Sequence, residues 1–287
     1  MANWQSNLIS SLFIYKPAAF NCCRKSAKNH FTRFNIKRNI FISLLLILSN
    51  HLYAQNDDLS GNIYILSCFV SDGIDQWTPN EKKNMLAQTN EALQWVNKQG
   101  KSYSKDVNFE HGCFGIEYDI IINNIERGKA TGKEDVTMIE RTLHKIGYRD
   151  QNDLTKWVKT NTKNKDVKVF VFVKGTGNAY CIACPYYFPA ECPFVEGAIL
   201  YEKYWSDRPL STGSIAHELL HTFGAWDLYH NYEQTKEQEN KARILFPNSI
   251  MLKIEYDIDK SNVDELTAWL IGWNKIAKDW YWWFKPK

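Results

Sequence analysis

The stretch His217-Glu218-Leu219-Leu220-His221-Thr222-Phe223-Gly224-Ala225-Trp226-Asp227-Leu228-Tyr229-His230 holds the residues whose types and spacing best suit chemistry. In a helix, residues four apart lie about 40° apart around the axis, so His217 and His221 stack on one face and can share a metal ion. Glu218 lies about 100° round from His217, poorly placed as a ligand but able to reach water on that metal, which is the general-base position. A catalytic zinc takes three protein ligands and leaves its fourth position to water. Gly224 can take the left-handed conformation that ends a helix. The turn then offers Asp227 as third ligand, with His230 as the competing candidate. An aspartate offsets part of the metal's charge, so weaker activation of water is expected than with three imidazoles.

The pattern HExxHxxGxxD, followed by Leu228-Tyr229, resembles metzincin zinc endopeptidases whose third ligand is aspartate, such as immune inhibitor A-like and snapalysin-like enzymes. Most metzincins place histidine where this chain has Asp227, so the resemblance is to a subset. Further on, Asn248-Ser249-Ile250-Met251 is similar to the family's Met-turn, whose methionine, here Met251, underlies the zinc site. Some metzincins carry a tyrosine two residues after it; here that position is Lys253, so no tyrosine role is carried over. The resemblance is strong over residues 211–252 and architectural elsewhere. It implies an endopeptidase that holds Zn2+ with His217, His221 and Asp227 and uses Glu218 as general base on a protein or peptide substrate. Two rivals remain. Another HExxH zinc hydrolase with a cysteine ligand, Cys192 for instance, leaves Gly224, Asp227 and Met251 unexplained. A non-catalytic binding protein on the same scaffold has no need of Glu218.

Residues 1–54 read as a leader. Lys37 and Arg38 precede an apolar run from Ile40 to Leu48, and Ala54 supplies a small residue for cleavage, the order of a secretory signal peptide over about residues 37–54. The run is too short for a comfortable membrane span. Residues 1–36 form an unusually long preface, either an extended n-region or a mis-chosen start. Seven of the 35 Lys and Arg residues and no Asp or Glu lie in 1–54, which leaves 28 basic against 32 acidic residues and turns a net charge of +3 into −4. That removes the electrostatic case for nucleic-acid binding. Residues 55–287 are expected to form one catalytic domain, a secreted or periplasmic monomer without a membrane span.

Beyond the leader stand Cys68, Cys113, Cys181, Cys184 and Cys192. In an oxidising compartment two of the last three would staple a loop, and Cys68 with Cys113 would bridge neighbouring strands. A structural zinc on the last three cysteines lacks an obvious fourth ligand.

The elements that must position the site follow an α/β (α+β) order. Asn62–Val70 reads as a buried strand, and Thr78-Pro79 as the start of a helix whose stripe of Met85, Leu86, Leu93 and Val96 runs to Gly100. Val107–Asn123 reads as a second strand region, with Ile116, Tyr118, Ile120 and Ile122 on one face. Helices near Val136–Ile146 and Asn152–Thr160 and a strand at Asp166–Lys174 follow, implying some parallel pairing. Gly175–Glu196 reads as a long loop. Residues 197–204 read as the short strand that metzincins keep as an antiparallel edge above the cleft. Ser211-Thr212-Gly213-Ser214 supplies caps for the zinc helix. Residues 231–243 look like a polar excursion, Asp259–Lys275 like a last helix, and the aromatic tail Trp280–Phe284 like buried packing. The expected architecture is two-lobed: a twisted mixed sheet with packed helices above the active-site helix, and a mostly irregular lower lobe with a C-terminal helix.

Overall fold

The computed structural model describes residues 58–125, 133–183, 196–231 and 234–286. The leader, Cys184 and Cys192 lie outside them. The elements are β1 (Gly61–Ser71), α1 (Pro79–Ser102), β2 (Val107–Phe114), β3 (Ile120–Ile121), α2 (Lys133–Lys145), α3 (Gln151–Asn161), β4 (Asp166–Thr176), β5 (Tyr180–Ile182), β6 (Gly197–Lys203), α4 (Thr212–His221), α5 (Lys236–Leu245) and α6 (Glu265–Leu270), with 3-10 turns at Ile258–Lys260 and Asp279–Phe284. This is the mixed α/β architecture expected from the sequence.

The sheet has six strands in the order β2-β1-β4-β6-β5, with β3 also on β1; all pairings are parallel except β5 with β6. Successive side chains leave a strand on opposite faces, so each buried strand feeds two cores. Ile63, Ile65, Phe69, Phe170, Phe172 and Leu200 pack with α1 and α4 on one face. Tyr64, Leu66, Val70, Val169, Val171 and Ile199 pack with α2 and α3 on the other. The long helix α1 begins at a capping box in which Thr78 and Glu81 each bond the other's backbone N–H, an arrangement worth about 1 kcal/mol.

Lys168 interrupts this apolar pattern. It projects from β4 towards α4, 1% exposed, with Asp166 at 3.0 Å, Glu196 beside it and the Phe223 ring 4.4 Å away. Two carboxylates answer its charge, which is the condition for burying a lysine.

Several expectations are corrected. The second strand stops at Phe114, because Gly115 turns with φ +80°; Ile116 and Tyr118 are 43% and 84% exposed rather than sharing a buried face. Residues 197–203 are not an edge: β6 lies between β4 and β5, and the antiparallel edge is the three-residue β5 inside the expected loop. The polar excursion contains α5, capped by Thr235 and Gln238. The last helix is only Glu265–Leu270, since Gly272 at φ +81° ends it. In the aromatic tail Tyr281 and Phe284 are buried, but Trp280, Trp282 and Trp283 stay partly exposed. Cys68 and Cys113 do sit on neighbouring strands, yet both are free thiols, as is Cys181. The register pairs Cys113 with Ser67, so Cys68 points to the opposite face of the sheet and cannot meet it.

Candidate metal centre

Helix α4 is fixed at both ends. Ser211 caps its start by accepting from the Ser214 N–H at 3.2 Å, and Thr212 donates to Glu91 of α1 at 2.8 Å. A side chain at Gly213 would put its Cβ 2.9 Å from Ile254, so glycine lets the chain after Met251 lie against the helix. At the other end Gly224 takes φ +91°, and the Ala225 N–H returns to the Leu220 carbonyl at 3.2 Å. Ile215, Ala216, Leu219 and Leu220 are fully buried, and His217 and His221 project from the remaining face.

The turn after Gly224 brings Asp227 to those imidazoles. His217 Nε2 and His221 Nε2 lie 3.0 Å apart, and Asp227 Oδ1 is 3.2 Å from the first and 3.1 Å from the second. A tetrahedral zinc with bonds of about 2.0–2.1 Å spaces its donors about 3.3 Å apart, so this triangle is of the right size. The tautomers fit as well. His217 Nδ1 is 3.1 Å from the Ile250 carbonyl and His221 Nδ1 is 2.7 Å from the Ala225 carbonyl. A carbonyl only accepts, so both Nδ1 atoms carry the proton and both neutral Nε2 atoms present lone pairs. Three acceptors at contact distance repel one another unless a cation joins them. His217, His221 and Asp227 are thus a group able to hold a metal ion.

Electrostatics point the same way. Burial alone would lower the His221 pKa, but the adjacent Asp227 carboxylate overrides it and pushes the group up to about 9. Burial would raise Asp227, but His221 and His217 hold it well below the usual carboxylate range. Without metal, a proton is the cation the cluster binds, and metal uptake must displace it. Affinity is therefore expected to rise about tenfold per pH unit up to about pH 9 and to level off above it. Competition against a chromophoric chelator over that range measures this, and a flat profile would contradict the assignment.

Glu218 is 6% exposed and makes no corner of the triangle. Burial pushes its pKa up, partly offset by His217 and His221. With His217 it lines a cavity of about 240 Å³. His230, the competing candidate, is turned away: it is exposed and its Nδ1 donates to the Gln234 carbonyl at 2.7 Å. Met251 is fully buried; its carbonyl accepts from the Leu228 N–H at 2.9 Å, which anchors the segment carrying Asp227. The turn at residues 248–251 is tied to α6 through Asp264, which accepts from Ser249 Oγ at 2.6 Å and from the first N–H groups of α6.

Two residues that the sequence pattern does not single out meet the Asp227 carboxylate. Asn231 Nδ2 donates to Asp227 Oδ2 at 2.9 Å, and the Tyr229 phenol bonds the same carboxylate while its ring stacks on His217 at 6.2 Å. Both lie within four residues of Asp227, and only the loop's three-dimensional path brings them there. His111 bonds Ser67 at 2.7 Å and Asn90 at 3.0 Å, but Ser67 is wholly buried, so no substrate reaches that hydroxyl.

No protein-family model and no curated protein sequence matches the chain. Among solved structures it is similar to the crystal structure of metalloproteinase-II from Bacteroides fragilis, with 14% identity and a TM-score of 0.35 over 78% of this chain and 56% of that one. The match thus spans little more than half of that protein's length. The chemistry of the site stands on its donor set.

Proposed function

We propose that this chain is a zinc-dependent endopeptidase, exported through the signal-like segment at residues 37–54. The observation that carries the reading is the convergence of His217 Nε2, His221 Nε2 and Asp227 Oδ1 within 3.2 Å, beside a buried Glu218 that opens on a cavity. Imidazole and carboxylate donors at tetrahedral spacing suit zinc. When bound there, zinc supplies Lewis acidity that polarises a peptide carbonyl and acidifies water.

The chain's own groups divide the remaining work. Glu218, with its pKa lifted by burial, takes the proton of the attacking water and returns it to the leaving amine. The Ile250 and Ala225 carbonyls keep both imidazoles in one tautomer and orientation, and Asn231 holds Asp227. The substrate backbone lies along β5, whose outer side carries no strand among the described residues. No helix among the described residues is long and apolar enough to cross a membrane.

The test is hydrolysis of end-blocked peptides by the purified chain. Cleavage within the peptides should stop on chelation and return on adding zinc. Cleavage indifferent to chelator, or none with stoichiometric zinc bound, would refute the reading.

A further inference from the structure

Resting on that reading of the site, we propose that the cavity beside Glu218 receives a carboxylate of the substrate and that Arg208 recognises it. The cavity is lined by His217 and Glu218, by the apolar Ile250 and Ile254, and by two cations, Arg208 and Lys253. The cations differ. Lys253 Nζ lies 2.6 Å from Glu255, so the chain itself answers much of that charge. Among the described residues no carboxylate forms an ion pair with Arg208. The acidic group lining the cavity, Glu218, is assigned to proton transfer at the metal.

Arg208 is also held in place before any ligand arrives. It ends a loop closed on itself, with the Tyr204 N–H bonded to the Arg208 carbonyl at 2.8 Å, the Asp207 N–H to the Tyr204 carbonyl at 2.9 Å, and Asp207 itself at φ +57°. Its guanidinium lies 4.6 Å above the Tyr204 ring. The aromatic face and a hydrogen bond to the Tyr204 phenol orient the guanidinium, whose five N–H donors leave others to meet a carboxylate. Ile250 and Ile254 suit the methylenes of a glutamate stem, whereas a lysine there would face the like charge of Arg208. Two sources present such a carboxylate, an acidic side chain within the substrate or its free C-terminus.

The experiment uses the full chain and matched peptides. One set is acetylated and amidated, with Glu, Gln or Lys scanned through positions flanking the cleaved bond; a second carries a free C-terminal carboxylate close to that bond. Wild type is expected to cut the favoured acidic peptide with kcat/KM about tenfold or more above its Gln counterpart. The advantage should shrink as salt rises. Arg208→Glu should reverse the order in favour of Lys. A preference confined to the first set assigns an internal acidic residue, and one confined to the second assigns the C-terminus. A parallel binding measurement separates this proposal from the peptidase reading: Glu218→Gln chain is titrated with the Glu, Gln and Lys peptides, and tighter binding of the Glu peptide is expected even if wild type cuts nothing. Equal binding of all three or none, or an Arg208→Glu chain that keeps the wild-type order, overturns the proposal.

Discussion

Glu218→Gln is expected to abolish peptide hydrolysis, lowering kcat by at least about 10³-fold, while the metal stays bound. The amide has nearly the shape of the carboxylate but cannot accept a proton from water. The donor triangle does not include Glu218, so metal content should remain at one per chain. Stability should hold or rise slightly, because Glu218 is 6% exposed and burying a charge costs more than burying an amide. Activity and metal content measured on the same sample decide the matter. An active Glu218→Gln chain with full metal would remove Glu218 from the chemistry, whereas an inactive chain that has lost its metal would assign it to binding.

The residues on α4 were legible because a helix is periodic: a spacing of four between His217 and His221, with Glu218 next in line, fixes their relation whatever surrounds them. That Asp227 rather than His230 lies beside these imidazoles was not, since it depends on the Leu228 N–H meeting the Met251 carbonyl and on His230 finding Gln234. Local pattern also misplaced the sheet edge. Alternation over residues 197–204 reads the same for an edge as for an interior strand, and the true edge, β5, is three residues long, too short for periodicity to register. Helix α5 escaped because its buried positions include Gln238 and Glu239. Glu239 pairs with Lys236 and Arg243, and Gln238 donates to the Trp283 carbonyl at 2.8 Å. A stripe satisfied by ion pairs and amide hydrogen bonds does not look hydrophobic. The last helix was overextended for the opposite reason: Val263, Leu266, Leu270 and Trp273 keep helical spacing and are all buried, but Gly272 lies in the left-handed region and breaks the run.

Asp227→Ala should cost the metal and the activity together. It removes one of three donors and leaves two Nε2 lone pairs 3.0 Å apart, a pair too weak to retain zinc against a chelator. It also strips Asn231 Nδ2 of its acceptor, so the loop after Gly224 loses a tether as well as a ligand. Asp227→Asn separates these effects: it keeps the size and one oxygen but lacks the charge that offsets the cation, and should bind zinc between the other two. Thermal unfolding reads the series independently of catalysis. A metal held only by the folded state stabilises it by about 2.7 kcal/mol when present at about 100 times its dissociation constant, so chelation should lower the wild-type midpoint by several degrees. The Ala variant should unfold at one temperature with or without chelator. If it instead keeps stoichiometric zinc and a chelator-sensitive midpoint, the third donor is another group, and His230, three residues further on, would be the first to replace.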